Sequence, residues 1–160
     1  MLILKGLILL NLGYITWQDL LNREVYWFLF LSLLISLGFL HYNNVLFIHF
    51  QNSILINTSL IVSIITVLYM YSAMKIKRPF FKEVFGIGDA FFFLAFAIAF
   101  PTVSFTILFV FSIIFSLVLW MILKKNSKHN TIPLAGCMSL FLVLVFSFNW
   151  ISNSINLYIL

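Results

Sequence analysis

Acidic side chains are almost missing from this sequence. Of 160 residues only four are aspartate or glutamate (Asp19, Glu24, Glu83 and Asp89), and all charged types together make up 8%. So few charges cannot solvate a water-facing surface, while 64% of the residues are hydrophobic and the mean hydropathy is +1.16. These values exclude an ordinary soluble globular domain and predict an integral membrane protein. The single cysteine, Cys137, excludes an intramolecular disulfide and any Cys-rich metal site. Nine lysines and arginines give a formal net charge of +5. They are few and sit in short connections, so their expected role is to set orientation in a membrane, and no nucleic-acid partner is predicted. The apolar Leu2–Leu12 is followed by no small-residue cleavage site, and Asp19 and Arg23 come next, so it reads as a retained first span. No internal repeat or low-complexity linker stands out, and the Phe-, Ile- and Asn-rich composition carries no mechanistic weight.

A helix needs about 20 apolar residues to cross the hydrocarbon core. Six segments are predicted to do so: 1–18, 25–41, 53–73, 90–101, 102–123 and 134–152. The expected fold is all-α, a polytopic membrane helix bundle forming a single domain over 1–160. With six spans, Arg23, Lys75, Lys77, Arg78, Lys82, Lys124, Lys125 and Lys128 share one side, which should be cytoplasmic, and only Lys5 lies near the other. Both termini are then outside. Fusing 90–123 into one kinked span would throw Lys124, Lys125 and Lys128 outward, so the charge rule disfavours it.

The same topology brings all four acidic residues to the cytoplasmic side. Asp19 closes the first span and Asp89 opens the fourth. From Asp89 to Pro101 the helix climbs only about 18 Å, against a core of about 30 Å, so Asp89 is expected to lie below the membrane surface. Its ionised form then needs a water-filled indentation or a polar partner, because an aspartate at mid-membrane depth costs about 2.5–3.5 kcal/mol on insertion scales.

Each aspartate has an ordinary reading. Asp89 can cap the helix it precedes, and Asp19 can pair with Arg23 four residues on if the helix continues. The cap does not account for Gly86 and Gly88, which would permit positive φ and a close backbone approach. Taken together, two carboxylates at similar depth in a partly desolvated pocket cannot both ionise easily, so one keeps a proton while the other acts as a general base on water. That is the requirement of an aspartic protease.

"QDLLNRE" (Gln18–Glu24), "GIGD" (Gly86–Asp89) and "TIPLAG" (Thr131–Gly136) resemble the three landmarks of the prepilin and preflagellin peptidases, membrane aspartic proteases of the GxGD type. The resemblance covers essentially the whole chain in span count and landmark order. It implies cleavage of the basic leader from type IV prepilin-like or preflagellin-like precursors at the cytoplasmic face of the cell (inner) membrane. Asp19 and Asp89 match the catalytic aspartates and Gly86 and Gly88 the turn glycines; Arg23 and Glu24 are candidate substrate-binding residues. The implied partners are a prepilin-like substrate and the lipid bilayer, and no cofactor is expected. The family commonly carries a lysine two residues after the second aspartate, where this chain has Phe91. The larger bacterial members also have a cysteine-containing insert and methylate the new N-terminus; with no room for that insert and no methyl-donor motif, a peptidase without methyltransferase activity is predicted.

Glu83 is a weaker candidate than Glu24 for drawing in a basic leader. His41 and His49 fall in the expected outer connection, and no metal site is predicted there. The glycosylation-like "NTS" at Asn57–Ser59 falls inside a span and is set aside. Trp17, Trp27, Trp120 and Trp150 are expected as interfacial anchors, and Pro133 as the start of the last span. Two rival readings stand beside the protease: a catalytically inactive homologue that binds prepilins, motivated by Phe91, and a small ion- or proton-coupled transporter.

Overall fold

The structure is a computed structural model that describes residues 2–76, 85–124, 132–152 and 157–158. Six α-helices occupy these residues: α1 (Leu2–Asn22), α2 (Trp27–Tyr42), α3 (Phe47–Tyr71), α4 (Ile87–Ala99), α5 (Thr102–Leu123) and α6 (Leu134–Ser152). A π-helical turn, Ser72–Ile76, extends α3, and no strand occurs among the described residues. Phe47–Lys75, α5 and α6 are each long and apolar enough to cross a membrane, while α2 and α4 are shorter apolar helices. The chain is a membrane protein with an all-α fold. Lys77, Arg78, Lys82, Glu83, Lys125, Lys128 and Thr131, which figured in the charge and motif readings, lie outside the described residues.

α4 occupies the middle, packed on α2, α3, α5 and α6, while α1 lies against α6 and α2. Its pattern explains the position. Phe92, Phe96 and Phe100 recur every fourth residue and are fully buried, and the buried Ala95, Ala97 and Ala99 add little side-chain bulk, so neighbouring helices can approach closely. The Phe96 ring meets Phe105 and Phe109 edge-on at 6.0 and 5.6 Å, which joins α4 to α5 across the turn at Pro101. Pro101 has no N–H to lose at a helix start, and its carbonyl accepts the Phe105 N–H at 2.8 Å. On α1, the buried stripe Ile8, Leu12 and Ile15 faces the α6 stripe Met138, Leu142 and Phe146. Residues of the opposite sort of face, such as Leu10, Leu55, Val118 and Ile122, are large, apolar and exposed, as a lipid-facing surface requires.

α4 has only 13 residues, and its carboxyl end falls inside the protein. Carbonyls left open at a buried helix end need partners. Asn57 of α3 supplies two of them: its Nδ2 donates to Ala97 O at 2.8 Å and to Phe100 O at 2.9 Å. His41 supplies a third, donating from Nδ1 to Ile98 O at 2.8 Å.

Several helix boundaries and side-chain placements differ from those expected. The expected connection His41–Asn52 shrinks to residues 43–46, because α3 starts at Phe47 and takes His49, Gln51 and Asn52 into its first turns. His41 is therefore a wholly buried residue of α2, held by Ile98 and by the Phe50 ring at 5.0 Å, and is no interfacial side chain. Trp17 and Trp27 are exposed, but Trp120 is buried and Trp150 stacks on Phe146 at 4.9 Å with Lys5 Nζ 5.2 Å above it. Trp120 therefore packs inside the bundle, and Trp150 is half-buried near the end of α6.

Candidate active site

Asp19 continues the buried stripe of α1, eleven residues after Ile8 and four after Ile15, so the helix that packs Ile8, Leu12 and Ile15 on α6 turns the carboxylate to α6 as well. It is 8% exposed. Helix α1 runs to Asn22, one turn further than the expected span, and so Asp19 lies within its last turn. Asp89 sits in the first turn of α4, one helical repeat before Phe92 and Phe93. The N-cap of that helix is Gly86, in extended conformation at φ −68° and ψ 137°. Asp89 is thus the third residue of the helix rather than its cap, and its carboxylate reaches back to the Gly86 N–H, half of a capping box.

The two carboxylates meet at the start of α6. Gly136 N–H donates to Asp19 Oδ2 at 2.6 Å, and Ala135 N–H donates to Asp89 Oδ1 at 2.9 Å. The donors are consecutive amides, whose nitrogens are three bonds and at most about 4 Å apart, so these two carboxylate oxygens lie within about 10 Å of one another. The Asp19 charge acts directly on Asp89. The first amides of a helix have no acceptor in their own helix. In α6, Leu134 N–H donates to Ile132 O at 2.9 Å and Cys137 N–H to Pro133 O at 2.9 Å, and the two amides between them take the aspartates. The positive end of the helix dipole faces both carboxylates.

The glycines act through closeness. None has positive φ, which corrects the expectation for Gly86 and Gly88: one is extended and the other helical. A Cβ on Gly86 would stand 3.0 Å from Asp89 Oδ2, whereas one on Gly88 would rest on the Phe30 ring at 3.4 Å, an ordinary packing distance. Gly136 is tighter than either, for a Cβ there would lie 2.8 Å from Asp19 Cβ.

Arg23 does not follow Asp19 along a helix. It ends α1 in the left-handed region at φ 58°, and its guanidinium lies 5.2 Å from the Trp120 ring centre. From there its charge acts on both Asp19 and Asp89. Glu24 is exposed in the short connection to α2, which is tied back by Tyr26 N–H donating to Gln18 Oε1 at 3.2 Å. Phe91 turns away from the site. Two residues along a helix rotate about 200°, so with Asp89 facing α6, Phe91 faces α2 and stacks on Phe30 at 6.4 Å.

Sequence reading missed the two α6 amides, since a backbone donor carries no side-chain signature; "TIPLAG" marks the place without showing its work. It also missed Trp120 under Arg23 and the meeting of the Thr16 and Ser139 hydroxyls at 2.7 Å, one turn from Asp19 and Gly136. Among the described residues no group of three or more His, Cys, Asp or Glu is placed to hold a metal ion. Comparison with protein-family models, with curated proteins and with solved structures gave no match.

Proposed function

We propose that the chain is a membrane aspartic endopeptidase that removes the basic leader from prepilin-like or preflagellin-like precursors, with Asp19 and Asp89 as the catalytic pair and no methyltransferase activity. The observation that carries this reading is the convergence of the only two aspartates of the chain on consecutive amides of α6. In this reading the two carboxylates share one proton and hold a water between them. The ionised member takes a proton from that water as its oxygen attacks the scissile carbonyl, and the protonated member gives its proton to the developing oxyanion. Collapse of the resulting diol breaks the C–N bond, and a proton passes to the leaving amine. No metal or cofactor enters these steps.

In this reading six spans cross the cell (inner) membrane, both termini are outside, and the aspartates open to the cytoplasm, where the leader lies while the precursor's hydrophobic helix stays in the bilayer. The basic residues gathered on that side support the orientation. The substrate class comes from the resemblance of the three motifs.

The test is co-expression in membranes with a tagged leader-bearing precursor, comparing the native chain with Asp19→Asn and Asp89→Asn at equal expression. Shortening of the precursor by the native chain alone supports the reading. Full-length precursor in every case, across several leaders, overturns it in favour of the inactive homologue or the transporter.

A further inference from the structure

We propose that Gly136 is a positioning residue for the Asp19–Asp89 pair, and that the first turn of α6 is the template that sets the separation of the two carboxylates; the proposal rests on the aspartic peptidase reading. Among the six glycines, Gly6 and Gly13 face open space, and a Cβ on Gly38 would meet only Ile98 Cγ2, the movable end of a side chain, at 3.1 Å. Gly136 differs in kind. Its added Cβ would stand 2.8 Å from Asp19 Cβ and 2.9 Å from Asp19 Oδ2. A Cβ is fixed by the backbone and cannot rotate aside, so the whole end of α1 would have to retreat, and the 2.6 Å bond from Gly136 N–H to Asp19 would stretch with it.

The neighbouring seat would stay. Ala135 already carries a side chain and still donates to Asp89 at 2.9 Å, so a methyl group at position 136 moves one carboxylate relative to the other and removes neither. That is the change a shared water would feel most. Misplacement of reacting groups by about 1 Å costs about 100-fold in rate, and since surfaces that hold the precursor's helix are untouched, the loss should fall on kcat and leave KM nearly constant.

The experiment uses the full chain reconstituted in bilayers, with a leader-bearing single-span precursor as substrate and dicyclohexylcarbodiimide as a second probe, because it modifies protonated carboxyls in apolar surroundings without any need for turnover. Gly136→Ala is compared with Gly38→Ala and Gly13→Ala. The expected result is a fall in kcat of about 100-fold at nearly unchanged KM, with a shift of about threefold or more in the ratio of Asp19 to Asp89 labelling as Asp19 loses a hydrogen bond. Gly38→Ala and Gly13→Ala should leave kcat per folded molecule and the labelling ratio alone. Native kcat and a native labelling ratio in Gly136→Ala would overturn the proposal. A native chain that cleaves no precursor, with a labelling ratio that still shifts, would sink the peptidase reading and leave the positioning role standing. Should Gly136→Ala fail to fold, Asp19→Glu takes its place: the longer side chain keeps the charge but overshoots the Gly136 seat, so its activity should be as low as that of Asp19→Asn. Retention of native-like activity by Asp19→Glu would equally overturn the proposal.

Discussion

The Asn57 amide donates to the Phe100 carbonyl at 2.9 Å across 43 residues of sequence, and through the same nitrogen to Ala97 at 2.8 Å. Short α4 can therefore end inside the bundle, with Asp89 at its other end held against α6. Replacing Asn57 by leucine keeps the bulk and removes the donors. Two buried carbonyls would lose their partner, at about 1–3 kcal/mol for each group left unsatisfied. Thermal or denaturant unfolding of Asn57→Leu in detergent should show destabilisation by about 2–6 kcal/mol, while kcat of the molecules that remain folded stays native, because the aspartates lie at the far end of α4.

Phe91 gives the second prediction. The resemblance suggests a lysine at this position, and its replacement raised the reading of an inactive homologue. Phe91 faces Phe30 and is 51% exposed, on the side of α4 opposite the carboxylates. Phe91→Lys should change precursor cleavage by no more than about twofold, as substitutions on an exposed face generally do. A large gain in cleavage would show that the lysine position does reach the dyad.

Helices α5 and α6 and the end of α4 were legible because apolar runs and the break at Pro101 are local signals, whereas α4 starts at Ile87, three residues before the expected span. The stripe Ile8, Leu12, Ile15 and Asp19 was also there to be read, since it follows helical spacing. Other features depend on partners far along the chain. Gly136 and Asp19 are 117 residues apart, and nothing local to either announces the hydrogen bond. His41 is expected in a connection and Asn57 only in a glycosylation-like triplet that is set aside, because their worth lies in open carbonyls at the end of α4. The early start of α3 has no local signal: His49, Gln51 and Asn52 are as polar as a loop, yet a helix near a membrane end tolerates polar side chains that point to headgroups.

The proposed pair also fixes the form of the pH profile. Below its acid limb both carboxylates are protonated and no base remains; above its alkaline limb both are ionised and no acid remains. Cleavage should rise and then fall with pH, and each limb belongs to the pair and not to one residue. Initial rates of kcat/KM over a pH series should give a bell in the native chain, with no measurable cleavage at any pH in Asp19→Asn or Asp89→Asn. A single limb would show that one carboxylate works alone.

Arg23 separates backbone strain from charge. Its φ of 58° places a side chain where glycine is favoured, a conformation that costs about 1–2 kcal/mol for a residue with a Cβ. The stack on Trp120 at 5.2 Å returns part of that, about 0.5–1 kcal/mol for a cation over an aromatic ring. Arg23→Ala loses the stack and keeps the strain, whereas Arg23→Gly loses both. The glycine variant should therefore unfold later than the alanine variant, by about 1 kcal/mol, and near the native chain. Both variants lack the charge that acts on Asp19 and Asp89, so both should cleave more slowly than the native chain, and to a similar extent. If the glycine variant cleaved as well as the native chain, Arg23 would be a helix terminator and nothing more; if the two variants unfolded together, the left-handed backbone would carry no strain.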